Sequence, residues 1–348
     1  SVILFSYHVN ANERNEDENV QNLDARRKSS PIFDCRYVTL FSDYKKPAIV
    51  LQPAGNGSPL SVFGSQHKAF IFQPNTGPSL GVGVGFQDDV DISLSLPVRQ
   101  WVGRKDNRGE SKGLHAQFHL NQSRTAIDVT YTNMSGFFID EAYVGRVEVV
   151  DDVLIHGDSR TYLQRPEMSL QNISISGRYL LFENSHVNLN MIGGTESSNF
   201  FRWSPVIGFD ASKVLLVDQE LFFPSDSIKK DTSNSFPNDD QAKIKGVDHR
   251  SASVHGGFVI ELVYLGTRLL ISTVWGPAVS YVDFQGLDAA GKVRLGNSGA
   301  FSGQLSRSIS DDYHLGVRGY KSERSVTSSD MTLSESTSLA EIFVSRVF

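Results

Sequence analysis

One cysteine, Cys35, in 348 residues excludes a disulfide framework and leaves a zinc cluster without ligands. There is no apolar run of about 18 residues, so no helical membrane span is expected. Charged residues make up 21% and hydrophobic ones 39%, both slightly low for a soluble domain. A net charge of -6 argues against nucleic acid as an electrostatic partner. No Gly-x-Ser-x-Gly elbow occurs. Gly81-x-Gly83-x-Gly85 alternates within a strand and opens no helix, so it is not a phosphate loop. What fills the chain instead is small, polar and aromatic: 29 Gly, 22 Phe and 11 Tyr. That aromatic content excludes a wholly disordered chain.

The ends carry two addresses. Residues 1–11 read as the back half of a secretory signal peptide, with apolar Val2 to Phe5 and a small-x-small site at Val9-Asn10-Ala11. Residues 12–31 are almost wholly polar and read as a disordered periplasmic leader. The barrel is expected over 32–348. At the far end, Ala340, Ile342, Val344, Arg346 and Phe348 alternate with Glu341, Phe343, Ser345 and Val347. A terminal strand ending in an aromatic resembles the signal read by the barrel-assembly machinery, though Arg346 stands where an apolar residue is usual.

Between the ends, the dominant pattern has period two. Leu80, Val82, Val84 and Phe86 alternate with Gly81, Gly83, Gly85 and Gln87; Asp88-Asp89 turns, and Val90, Ile92, Leu94 and Leu96 alternate with polar residues. The same alternation recurs at Thr125–Thr132, Val187–Met191, Val254–Tyr264, Leu269–Trp275, Val293–Leu305 and Tyr313–Tyr320. Several runs reach ten residues, against about five or six for an ordinary strand and about 9–11 for a tilted membrane-crossing one. Phe86, Tyr131, Tyr264, Trp275 and Tyr281 are expected near strand ends, as an interfacial girdle. The fold class is therefore all-β: a transmembrane antiparallel up-and-down β-barrel of about twelve strands, counted from about residue 67. Long loops are expected near 99–113, 136–167 and 224–250, the second holding a less regular stretch at Val147–His156.

At Phe72-Gln73-Pro74-Asn75-Thr76-Gly77, running into Leu80-Gly81-Val82-Gly83-Val84-Gly85, the chain resembles an uncharacterised "domain of unknown function" family of Gram-negative bacteria. That resemblance implies an outer-membrane barrel of about this size and carries no functional residues with it.

Polar residues opposite the aliphatic faces are the candidate site. His115, Gln117 and His119 share one face of a strand, the two imidazoles about 13 Å apart at about 3.3 Å per residue. That separation is too large for one metal. With Asp128, His255, Glu261, Arg294 and Arg318, they are the candidate lumen-facing polar residues. No catalytic residue, metal ligand or cofactor is assigned. The expected function is a structural, porin-like or small-solute passage or binding role in the outer membrane, with outer-membrane lipids and lipopolysaccharide as partners. An outer-membrane lipid-modifying hydrolase is the first alternative. A soluble periplasmic β-sandwich or lipocalin-like binder is the second, and it would turn the aliphatic faces inward.

Overall fold

The computed structural model describes residues 35–53, 67–75, 78–86, 90–97, 111–122, 124–144, 149–150, 153–154, 162–182, 199–222, 243–287, 291–310, 313–327 and 331–347. The expected signal remnant (1–11), leader (12–31), alternation at Val187–Met191, turn at Asp88-Asp89 and terminal Phe348 lie outside the described residues.

Every described element is a strand, apart from turns and bends and one isolated 3-10 residue. In chain order they are β1 (Cys35–Pro53), β2 (His67–Pro74), β3 (Pro78–Phe86), β4 (Val90–Pro97), β5 (Lys112–Gln122), β6 (Thr125–Val144), a two-residue hairpin β7 (Val149–Val150) and β8 (Val153–Leu154), β9 (Tyr162–Leu180), β10 (Phe200–Val217), β11 (Gly246–Tyr264), β12 (Thr267–Gln285), β13 (Lys292–Ser308), β14 (Tyr313–Thr327) and β15 (Met331–Val347). All but the small hairpin join one antiparallel sheet of thirteen strands. β1 pairs with β15 from Cys35↔Val347 to Pro53↔Met331, so the sheet closes on itself.

β2 and β3 lie end to end along β1, which leaves twelve strands around the wall. The number matches the sequence reading, but the membership does not. β1 was not expected as a strand, because its alternation is interrupted by Lys45-Lys46-Pro47 and by two bulges against β15. β6 and β9 also run into the expected loop 136–167, and β11 begins inside the expected loop 224–250.

The wall forks. Near the end carrying Pro53 and His67, β2 pairs directly with β6 (His67↔Val144 to Pro74↔Phe137). Near the end carrying Cys35 and Val347, the hairpin β4–β5 stands between β3 and β6. The barrel is twelve strands round at that terminal end and ten at the loop end. Asn75 sits at the fork: its N–H donates to Ser111 Oγ at 2.7 Å, its carbonyl accepts from Ser111 N–H at 3.4 Å, and Ser111 Oγ donates to the Gly136 carbonyl. Gly136 has φ +80° and lies at a register break between β6 and β9, a backbone conformation glycine reaches without strain.

At the terminal end β11 turns into β12 through Leu265 (φ +47°) and Gly266 (φ +71°), the positive angles of a type I′ turn. Asn199 Oδ1 accepts the Leu265 N–H at 2.8 Å and holds the non-glycine residue in that conformation.

The faces are inverted relative to a soluble barrel. On β11, Val254 is 67% exposed while His255 is 8% exposed. On β10, Phe201, Trp203, Ile207 and Phe209 are exposed while Ser204, Asp210 and Ser212 are buried. More than thirty large apolar side chains among the described residues are exposed, in a contiguous band far larger than a water-facing surface carries, and in water each would forgo about 1.5–3 kcal/mol of burial. The medium along this belt is hydrocarbon. From Phe201 to Ala211 on β10 the belt is about 25 Å tall, at about 3.3 Å per residue and a tilt of about 40°. The lipocalin-like and sandwich alternatives are thereby corrected, because both need the aliphatic faces inside.

The girdle also differs from expectation. Tyr264 and Phe86 end their strands, whereas Tyr131 and Trp275 lie mid-strand. Near the terminal end, Trp203 packs edge-on against Phe182 at 5.0 Å, Arg124 donates to Tyr179 Oη at 3.3 Å and Arg346 lies over the Tyr313 ring at 5.4 Å. Arg346 thus keeps its guanidinium at the belt edge against an aromatic face.

Phe258→Arg, at the centre of the β11 belt, is expected to destabilise the barrel by about 2–4 kcal/mol. Lys321→Ala, beyond the belt on β14, is expected to change stability by less than about 0.5 kcal/mol. Urea unfolding in lipid vesicles measures both.

Candidate functional site: the barrel lumen

Because each strand alternates, the inner face can be read along the pairings. Asp91, His119, Asp128, Ser176, Asp210 and Ser253 form one rung across six adjacent strands. Ser93, Gln117, Thr130, Ser174, Ser212 and Ser251 form the next. Hydroxyl, amide and imidazole groups therefore dominate, and the charges among them are mostly paired.

The structure brings three of the expected residues together and sets a fourth, His115, farther along the same strand face. His119 Nδ1 lies 2.7 Å from Asp128 Oδ1, Gln117 Nε2 donates to the same oxygen at 3.4 Å, and His115 Nδ1 meets Thr132 Oγ1 at 2.9 Å. The other four are scattered. His255 Nε2 bonds Ser253 Oγ at 2.8 Å on its own strand. Glu261, at the terminal end, accepts from Arg268 Nε at 2.7 Å, with Arg202 at 4.0 Å. Arg318 pairs with Glu341 of the neighbouring strand. Arg294 is half-buried toward the loop end in a recess with Val282, Phe284 and Val326.

The strongest cluster is one that the sequence reading missed. Arg324 on β14 reaches across the lumen to Asp210 on β10, four strands away, through Nε at 3.1 Å and Nη2 at 2.5 Å. Its Nη1 donates to Glu335 at 3.3 Å, and Glu335 lies 3.5 Å from His249 Nδ1 on β11. Arg178 Nη1 likewise donates across to Ser272 Oγ at 3.5 Å. Arg324, Asp210 and Glu335 are 7%, 9% and 4% exposed, so each charge depends on the others for solvation. Parity contains the signal: Arg324 is an even residue of β14 like Arg318, four residues beyond the alternating run Tyr313–Tyr320.

Around this cluster remains a cavity of about 70 Å³, lined by residues including Thr130, Asn172, Ser174, Arg178, Gln304 and Tyr320. At about 10–15 Å³ per water it holds about five. Among the described residues, Asn172 Oδ1 and Gln304 Oε1 are buried in its wall without a hydrogen-bond partner.

Toward the loop end the lumen becomes apolar. Phe72, Met134, Phe137, Leu170, Leu216, Val247 and Leu333 pack with Phe222 and Ile244, which come from the base of the β10–β11 connection. Phe222 meets the Phe72 ring at 4.9 Å. Its N–H donates to the Ile244 carbonyl at 2.7 Å. Arg165 ties the connection down, donating to the Leu221 carbonyl at 2.7 Å and pairing with Asp218 and Glu220. Burial pushes the Asp218 carboxyl above its ordinary value, while backbone hydrogen bonds and Arg165 pull it back.

No protein-family model matches the chain, and no curated protein matches it. Among solved structures, it is similar to the outer membrane protease OmpT from Escherichia coli, at 9% identity over 92% of this chain and 99% of that one, TM-score 0.40. It is similar also to Ail, the attachment invasion locus protein of Yersinia pestis (12% identity, 64% and 99% covered, TM-score 0.22), and to OmpT of Vibrio cholerae (8% identity, 90% and 98% covered, TM-score 0.26). Likenesses this distant carry no residue role or activity to this chain.

Arg324→Ala should cost about 3–5 kcal/mol, because two buried carboxylates lose their cation. The triple change Arg324→Met, Asp210→Leu, Glu335→Leu should recover most of that loss. The unfolding midpoint of each variant in vesicles measures the difference.

Proposed function

We propose that this chain is an integral outer-membrane barrel with a closed lumen, serving as a membrane-seated scaffold for its loop end rather than as an open pore. The observation that carries this reading is the cross-lumen Arg324–Asp210–Glu335 cluster, with the apolar cap above it. A conducting pore keeps its charges on the wall and water between them. Here a guanidinium spans the interior.

Closure without edges and a hydrocarbon belt suit a barrel of the outer membrane. Four of the five connections at the terminal end are short, the exception being 181–199, whereas 54–66, 145–161 and 218–245 at the loop end are long, a leaning toward the asymmetry of periplasmic turns and extracellular loops. The partners on this reading are outer-membrane lipids, with lipopolysaccharide on the loop-end side, and the assembly machinery at Phe348.

A second reading, retention of a small neutral solute, is favoured by the two unpartnered acceptors Asn172 and Gln304 in the cavity wall. The lipid-hydrolase alternative has less support. The Ser253–His255 and Ser308–His314 pairs both face inward, and Ser253, His255 and His314 are buried, where an acyl chain in the bilayer does not reach.

Reconstituted into planar bilayers, the protein is expected to show no sustained conductance steps. Stable steps in every insertion would contradict the closed lumen. Recovery of the mature protein in the aqueous phase without detergent would contradict the membrane reading itself.

A further inference from the structure

Arg178 is the cation in the cavity wall that the cross-lumen cluster does not use. It projects inward from β9, and its Nη1 donates across the lumen to Ser272 Oγ on β12 at 3.5 Å. No carboxylate lies within 4 Å of its guanidinium among the described residues, whereas Arg318 and Arg324 both have theirs. Arg178 lines the cavity with its charge unmatched at close range.

Gln304 is the second unanswered group. It is 4% exposed, its Nε2 donates to Ser306 Oγ at 3.4 Å, and its Oε1 faces the same cavity without a partner among the described residues. A buried acceptor left so is costly unless something donates to it. The two groups lie near each other. Ser272 pairs with Ser302 on β13, and Leu270 pairs with Gln304, so Ser272 and Gln304 are diagonal neighbours about 7–8 Å apart. The guanidinium held at Ser272 is thus brought toward the Gln304 amide across a gap of about that length. Asn172 lies elsewhere, about 20 Å from Arg178 along β9 at about 3.3 Å per residue, and is left to water.

Charge and size narrow the occupant. Arg178, Arg318 and Arg324 are matched in number by Asp210, Glu335 and Glu341, and Asp128 has His119. The occupant therefore offers an anionic end to Arg178 while adding no net charge. The cavity of about 70 Å³ holds about five waters, which admits about five or six non-hydrogen atoms.

Resting on the small-solute reading above, we propose that the cavity binds a zwitterionic α-amino acid of the size of glycine or alanine. Its carboxylate accepts from the Arg178 guanidinium, and its ammonium donates to Gln304 Oε1. With a hydrogen bond of about 2.9 Å at each end, such a molecule spans about 8 Å, the gap between the two groups. The site lies below the apolar cap and needs no open pore. Entry is from the terminal end, because Phe72 and Phe222 fill the other.

The test is equilibrium dialysis of the protein in lipid nanodiscs against labelled glycine, with labelled glycerol in parallel and with glycolate, acetate and ethanolamine as competitors. Each competitor should displace glycine only at about tenfold higher concentration than unlabelled glycine does. Arg178→Gln should weaken glycine retention about tenfold and Gln304→Leu about fivefold, while Asn172→Leu should leave it unchanged. The heat-modifiable gel mobility of the folded barrel checks each variant. If Arg178→Gln does not fold, Arg178→Lys, which keeps the charge without the planar fork, should weaken retention about threefold. No retention of glycine, displacement by glycolate or acetate as readily as by glycine, or an equal loss in Asn172→Leu overturns the proposal. Retention of glycerol in place of glycine overturns it and leaves the small-solute reading standing. Retention of neither takes that reading with it.

Discussion

The structure depends on one constraint: in hydrocarbon, no backbone N–H or C=O can be left without a partner. The β1–β15 pairing meets it by removing the last two edges of the sheet. Everything else is arranged around that closure. Each strand must present apolar residues outward, so every second residue is forced into the interior. The interior must then solve its own polarity. Serine, threonine and amide groups do so along the rungs, and the buried charges do so by pairing across the lumen.

The fork adds a second consequence. Inserting β4–β5 only at the terminal end makes the barrel wider there, because diameter grows with strand number. The narrower loop end is the one filled by Phe222, Phe72 and their neighbours. Ten strands enclose a space that apolar side chains can fill. Twelve leave the polar rungs and the 70 Å³ cavity below them. The wall also has places that tolerate no side chain: a Cβ at Gly257 would meet the Thr273 carbonyl, and one at Gly276 the Val254 carbonyl.

Much of this was legible because alternation is local. The parity of Leu80 to Leu96, of Val254 to Tyr264 and of the terminal strand assigned each residue to a face, and His115, Gln117 and His119 do share the inner one. What was not legible depends on distant pairings. Nothing in the sequence near Arg324 points to Asp210, which lies 114 residues away and meets it only because the sheet curls. β1 was hidden because Lys45-Lys46-Pro47 breaks the period, although its pairing with β15 needs only backbone groups. The collinearity of β2 and β3 was hidden as well, because it shows only in their pairing with two successive stretches of β1.

The central claim is that even and odd residues of these strands see different media. Single cysteines placed one at a time from Ala252 to Val263, in a Cys35→Ser background and labelled with a nitroxide, test it in lipid vesicles. The account predicts that labels at even positions are relaxed by oxygen dissolved in hydrocarbon and labels at odd positions are not, with period two along the strand. Uniform accessibility, or even positions reached by a water-soluble nickel chelate, would contradict it.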